Sequence, residues 1–596
     1  MQSSLDDVIQ LLATWAVEEV PAGAVVTKLR AGSSVVIGWM RRHAAIGALT
    51  FLAVLAACAG AGNAQSSEPA TGTHGMVSSA HPLATEAGVR ILRDGGTAFD
   101  AAVAVAAALN VVEPAMSGMG GYGTILVYDA KSNVARFLNP SGRMPALLDS
   151  DAFRPPTPDY MRNRRGAKAI STPGNANAWE AMWREYGELP WAVLFDDAIR
   201  LAEEGFQLTA REAALIAGAY GEFPEYARAF YGRDGEPLRA GDLLVQRDLA
   251  NSLRLVAAEG ASAIHGGSIG EAIDRAMREA GGFLSLEDLR SNEAEWWEPI
   301  RMTYRGYEIV TASPPANSWP ALVRLGMMSQ YDVAALGHNT AAYLHRYAEV
   351  TKHAFWTRLR WAGDPDVAPP PLGQLLSEEY WTEQVSRIDS VHASPFVPPI
   401  DFSDPHHTTH FVVADRWGNV VSATQTLGNA FGSRIMPEGT GIWLNNSLAY
   451  CTFDPKGNPM DAFPGRHKLS GDVPLFIMRG GRPWVAIGTP GGHTIAQTVP
   501  QMVMSIIDFG MDVQEAIDAP RIAFIEPDVI AVDARIPGAV RDSLASMGHH
   551  VEVSGGFSNA HGLAIEYDGQ GHPTQFRGGS ETRGTGLAKG YSGGRS

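Results

Sequence analysis

The stretch Thr408-Thr409-His410-Phe411-Val412-Val413-Ala414-Asp415-Arg416-Trp417-Gly418-Asn419-Val420-Val421-Ser422-Ala423-Thr424-Gln425-Thr426 decides the fold. Residues 409–414 and 420–426 are rich in β-branched side chains and alternate as strands do. The polar residues 415–419, with Gly418 near their end, supply the turn between them. Upstream, residues 364–407 carry proline-rich runs at 365–372 and 395–405 and read as a surface segment leading into something compact. Downstream, 474–478 and 484–488 read as strands around a Gly480-Gly481 turn, followed by helices at 494–509, 513–519 and 540–547.

Towards the N-terminus, residues 81–92 have helical spacing that ends at Asp94-Gly95-Gly96. Thr97 can then cap a helix, with Asp100 three residues on as the return partner. Residues 100–112 are apolar nearly all round, as in a helix sunk in a large core. Gly118, Gly120, Gly121 and Gly123 lie after that helix and before a strand at 125–128. This is the reverse of the nucleotide-binding order, so they read as a tight backbone passage near the active site. Helical spacing dominates 172–300, notably at 179–186, 194–204 and 246–258; 304–310 reads as one strand and 344–360 as a helix. Helices and strands mix without a βαβ rhythm or an internal repeat, which predicts α+β layers.

The 596 residues are 45% hydrophobic and carry a formal net charge of −17, with no basic stripe, so nucleic-acid binding lacks its electrostatic footprint. Two cysteines, Cys58 and Cys451, exclude a disulfide framework and a cysteine-rich zinc site. Arg41-Arg42 followed by the apolar run 44–57 and by Gly62-Asn63-Ala64 reads as a signal peptide over 40–64, after a doubtful extension at 1–39. Export to the periplasm or the cell exterior follows. Leu55-Ala56-Ala57-Cys58 also fits a lipoprotein signal, with Cys58 as the lipid anchor. His406, His407 and His410 have no accompanying carboxylate triad or HExxH, so the expectation is no metal and no cofactor.

Many ordered motifs resemble the γ-glutamyltransferase family. They include Gly95-Gly96-Thr97-Ala98-Phe99-Asp100, Glu113-Pro114, Gly118-x-Gly120-Gly121-x-Gly123, Ser171-Thr172-Pro173-Gly174, Thr408-Thr409-His410, Thr424-x-Thr426-Leu427, Leu444-Asn445-Asn446 and Gly488-x-Pro490-Gly491-Gly492. The resemblance implies an N-terminal nucleophile hydrolase: a four-layer αββα sandwich formed jointly by a large subunit, 65–407, and a small one, 408–596. It implies self-cleavage between His407 and Thr408, with Thr408 as nucleophile, Thr426 as its hydrogen-bonding partner, and Gly491 and Gly492 as oxyanion donors. A threonine hydroxyl is a weak nucleophile and needs a base. The α-amine exposed by cleavage, with a reference pKa of about 7.7–8.0, can serve.

The substrate-binding positions depart from the family pattern. Ser141 stands in register where typical members carry the arginine for the substrate α-carboxylate, and Arg143 lies close by. The paired serines become Ser470 and Gly471, the amine-binding Gln and Asp become Ser447 and Tyr450, and the asparagine after Thr-Leu becomes Gly428, with Asn429 next. The stretch between Asn446 and Ser470 is also shorter than the covering lid of some members, which suggests an open cleft. The leading expectation is hydrolysis or transfer of γ-glutamyl amides, glutathione included, to water or an amino acid. The alternative is an acylase acting on another amide: a dicarboxylic monoamide, a β-lactam side chain or an oxamate-like compound. A reading of another class is an inactive exported binding protein.

Overall fold

The computed structural model describes residues 68–395, 407–525, 528–555, 557 and 559–593. The expected extension, signal peptide, Cys58 and His406 lie outside the described residues.

Two antiparallel sheets of seven strands form the centre. One is built from β2 (Gly75–Ser79), β3 (Tyr122–Asp129), β4 (Val134–Asn139), β5 (Glu295–Trp297), β8 (His407–Asp415), β9 (Val420–Gly428) and β14 (Leu587–Tyr591), in the order β14-β2-β8-β9-β3-β4-β5. The other holds β1 (Ala70–Gly72), β6 (Ile300–Tyr304), β7 (Tyr307–Thr311), β10 (Leu475–Arg479), β11 (Arg482–Gly488), β12 (His561–Tyr567) and β13 (Pro573–Ser580), ordered β1-β13-β12-β11-β10-β7-β6. Both sheets draw strands from each side of Thr408, so neither half of the chain can complete a sheet alone.

Strand alternation sets the layers. Along β8, Val412 and Ala414 join Leu126, Phe476 and Leu563 in a core between the sheets. Phe411 and Val413 point the other way, into a core with α1 (Pro82–Arg93) and α2 (Ala98–Val112). On the far side of the second sheet, Ile477 and Ile487 pack with α4 (Trp319–Met328), α5 (Ala341–Trp361) and α6 (Ile495–Ile507). The result is helix, sheet, sheet, helix. Helix α2 is buried at every position, and Thr97 and Asp100 form the expected reciprocal cap.

Two sequence expectations are corrected. Residues 304–310 are not one strand: Arg305 and Gly306, at φ 51° and 84°, turn the chain between β6 and β7. Left-handed backbone at both turn residues suits a two-residue hairpin, which the apolar pattern alone does not reveal. The segment after Asp364 is not wholly at the surface either, because it holds a helix at Glu378–Val385 whose Trp381 is buried.

Candidate active site

Strands β8 and β9 pair antiparallel with Thr408 opposite Thr426, so the two side chains share one face of the sheet. That face is the one turned towards the second sheet. The register shifts between His407 and Thr408, which breaks the ladder at the bond where cleavage is expected. Thr426 Oγ1 donates to the His407 carbonyl oxygen at 2.6 Å and accepts the Gly428 N–H at 2.8 Å. The carbonyl of the candidate scissile bond is therefore already polarised. Thr408 is 5% exposed and Thr409, on the opposite face, donates to Glu113 Oε2 at 2.7 Å. Burial pushes the Glu113 carboxyl up, against the pull of Arg211 and the Thr409 hydrogen bond.

The glycine cluster is the tight passage expected. A methyl on Gly121 would stand 2.4 Å from the Thr426 carbonyl oxygen, and one on Gly123 2.3 Å from that of Thr424. Only glycine lets β3 approach β9 this closely. From the second sheet, Gly488 lies against His410, whose ring would be 2.3 Å from a methyl there. His410 bonds Thr424 through Nδ1, and burial drives its pKa down to about 3. The ring is a neutral part of the core between the sheets.

Gly491 and Gly492 follow the end of β11 at φ 134° and 57° and lead into α6. Amides at a helix start lack partners within the helix, which makes them available to an anion. Gly491 lines a cavity of about 330 Å³ together with Thr408, His407, Pro490, Met116, Arg211, Asn559 and Arg583. A larger cavity of about 1250 Å³ also borders His407 and takes in Asn429, Asn446 and the cations Arg162, Arg165, Lys168 and Arg434.

The expected substrate-binding residues fall into two groups. Asn429 lines the larger cavity, its N–H held by Asn446 Oδ1 at 2.9 Å. The others line neither cavity. Ser447 donates to Ser171 Oγ at 2.6 Å, Ser470 bonds Thr124 Oγ1 at 2.8 Å, and Ser141 donates to the Gly123 carbonyl. The Arg143 guanidinium binds Glu295 at 3.2 Å and the Gly465 carbonyl, half-exposed on the outside of this region. Tyr450 is buried and stacks on His493, with ring centroids 4.6 Å apart. A methyl on Gly471 would stand 2.0 Å from the Tyr450 hydroxyl. The two departures at 450 and 471 are thus one steric exchange: the phenol occupies the space that a second serine would need.

Glu295 also accepts from His467 at 3.0 Å, and His467 Nδ1 lies 2.9 Å from Asp364. Despite desolvation, these two carboxylates raise the His467 pKa to about 9. A raised histidine stabilises the fold fully below its unfolded pKa of about 6.5, and the contribution is lost as pH climbs through 9. His467→Asn is therefore expected to lower the melting temperature most at or below pH 6.5. The deficit, about 3 kcal/mol at most, should shrink towards pH 9.5. Melting curves across that range check it; a pH-independent deficit would exclude a charged His467.

The Gamma-glutamyltranspeptidase family model matches residues 84–591. The chain belongs to that family. It is therefore an enzyme of the self-processing N-terminal nucleophile hydrolases, acting as an amidohydrolase or acyltransferase. It is 36% identical over 519 residues to the acylase ACY 1 proenzyme of Pseudomonas sp. (strain SE83), covering 84% of this chain and 92% of the relative. It is 31% identical over 526 residues to the glutathione hydrolase proenzyme of Bacillus subtilis (strain 168), covering 83% and 89%. In structure it is similar to the cephalosporin acylase from Bacillus halodurans, with a TM-score of 0.80 and 29% identity, covering 88% of this chain and 97% of that one. Within this family frame, sequence alone missed Arg211, Asn559 and Arg583 at the Thr408 cavity, because none of them belongs to a local motif.

Proposed function

We propose that this member of the family is an acylase-type amidohydrolase whose acyl group is a short dicarboxylic acid without an α-amino group, rather than a γ-glutamyl hydrolase. The observation that carries this reading is the fate of the amine-binding positions. Ser447 is tied to Ser171, Tyr450 is stacked on His493, and neither offers a carboxylate. A buried ammonium left without a carboxylate is costly, so an acyl chain without one fits better. The likeness to two acylases, in sequence and in structure, supports the same choice.

In the mechanism that fits the geometry, Thr408 Oγ first attacks the His407 carbonyl carbon. The Thr426 hydroxyl, 2.6 Å from that carbonyl oxygen, stabilises the charge that develops on it. The C–N bond breaks to leave an ester on Thr408 and a free α-amine, and water then hydrolyses the ester. In the mature enzyme that amine takes the Thr408 hydroxyl proton. Thr426, released from His407, donates to Thr408 Oγ, and the Gly491 and Gly492 amides face the substrate oxyanion. The acyl group passes to Thr408 and then to water. Export through residues 40–64 and a mature form made of 65–407 and 408–596 belong to the same proposal.

Matched p-nitroanilides test the acyl preference. The glutaryl compound is expected to exceed the γ-glutamyl compound in kcat/KM by about 10-fold or more, the factor that 1.4 kcal/mol of unpaired ammonium costs. A preference for the γ-glutamyl compound would restore the glutathione-hydrolase reading.

A further inference from the structure

The cavity against Thr408 contains positive charge and, among the described residues that line it, no carboxylate. Arg211 is the second residue of α3 (Ala210–Ala219), a helix started by the Thr209 and Glu212 capping box. That cap fixes the backbone that carries Arg211 into the cavity wall. Its guanidinium makes no hydrogen bond or ion pair with any described residue, although it acts electrostatically on buried Glu113 and on His407. Arg583 lines the same cavity but is already held by Glu581 and Asp533.

Asn559 supplies the second feature. Its side chain is 3% exposed, yet neither Oδ1 nor Nδ2 has a hydrogen-bond partner. Buried amides are rarely left so, and one that lines a cavity beside a nucleophile calls for a ligand. Gly584, on the same wall, keeps space for it: a methyl there would stand 2.0 Å from Asn559 Oδ1. The positions that hold a substrate carboxylate by resemblance are spent elsewhere, Arg143 on Glu295, Ser141 on Gly123 and Ser470 on Thr124.

We propose that Arg211 and Asn559 form the subsite that binds a carboxylate of the substrate, with Arg211 as the cation and Asn559 Nδ2 as a hydrogen-bond donor. This rests on the amidohydrolase reading and adds its specificity determinants. An arginine fork and an amide donor are the groups that select an anion over its uncharged isostere. The carboxylate can sit on the acyl chain or on the departing amine, and the test separates the two.

Mature wild type, Arg211→Gln, Arg211→Lys and Asn559→Asp are compared on two substrate pairs. One pair differs on the acyl side, glutaryl against valeryl p-nitroanilide. The other differs on the amine side, valeryl amides of 4-aminobenzoate against aniline. The readout is the acid-to-neutral ratio of kcat/KM. In one pair, Arg211→Gln and Asn559→Asp should lower that ratio at least about tenfold, while Arg211→Lys keeps part of it. The pair that responds identifies the end of the substrate held. Unchanged ratios in both pairs overturn the subsite. If wild type cleaves none of the four, the short-dicarboxylic acyl reading falls by itself, and calorimetric titration with glutarate decides the subsite. Binding weakened at least about tenfold by Arg211→Gln upholds it, and no binding, or equal binding, overturns it.

Discussion

Thr408→Ala is expected to leave the chain in one piece and to lower amide hydrolysis by at least about 10³-fold, because in the proposed mechanism the substitution removes the nucleophile of both reactions. The attacking oxygen, the bond to be cut and the hydrogen-bond donor to its carbonyl are adjacent: Thr408 follows His407, and Thr426 reaches the His407 carbonyl at 2.6 Å. No other residue supplies an oxygen on that side of the bond with the amine it would liberate. Intact mass of the purified protein reads the result. Wild type should give two fragments, the smaller starting at Thr408, and the variant one chain. The same spectrum locates the start of the larger fragment, at Gln65 if residues 40–64 are removed as a signal. A single chain in wild type would remove the self-cleaving mechanism and revive the binding-protein reading.

Thr426→Val is expected to slow self-cleavage by about 10²-fold and to lower kcat of the separated enzyme by a similar factor. Valine keeps the shape of threonine and removes the donor, so the loss reports the hydrogen bond rather than a cavity. Removing one donor that stabilises a developing oxyanion is worth about 10²–10³ in rate. The same substitution leaves the Gly428 N–H without its acceptor. Stability must therefore be followed alongside, and Thr426→Ser, which keeps the hydroxyl, should recover most of the rate. Cleavage at the wild-type rate in Thr426→Val would show that the 2.6 Å contact to His407 holds the strand and does not assist the chemistry. A kcat loss without slower cleavage would confine its role to the mature enzyme.

The order of these effects follows from position. In the proposed mechanism Thr408 forms and breaks bonds and Thr426 adjusts the charge on the reacting carbonyl, whereas His467 lies in an outer ion cluster with Asp364 and Glu295. The proposed role of Arg211 and Asn559 is to select between substrates. Each layer further from the reacting atoms should move a narrower observable: cleavage itself, then its rate, then the acid-to-neutral ratio, then the pH profile of stability.

By itself, the sequence determined what lies within one or two elements. Thr408 and Thr426 are joined by a short turn, so strand period and turn length together put them opposite one another. The Thr97–Asp100 cap and the all-buried helix after it were legible for the same reason, since each depends on side chains a few residues apart; the glycine cluster was legible as a run of residues without side chains, although the strand it passes, at Thr424 and Thr426, is far away in the chain. The hairpin at Arg305-Gly306 was not, because a left-handed arginine carries no local signature. Only the tertiary structure decided the substrate side of the site. Arg143 is half-exposed beside Glu295, and Tyr450 fills the space next to Gly471. Arg211, Asn559 and Gly491 come from a helix, a loop and a strand end far apart in the chain and meet on one cavity. Such meetings depend on how two sheets and two helical layers stack, and that is fixed by the summed burial of many side chains rather than by any motif.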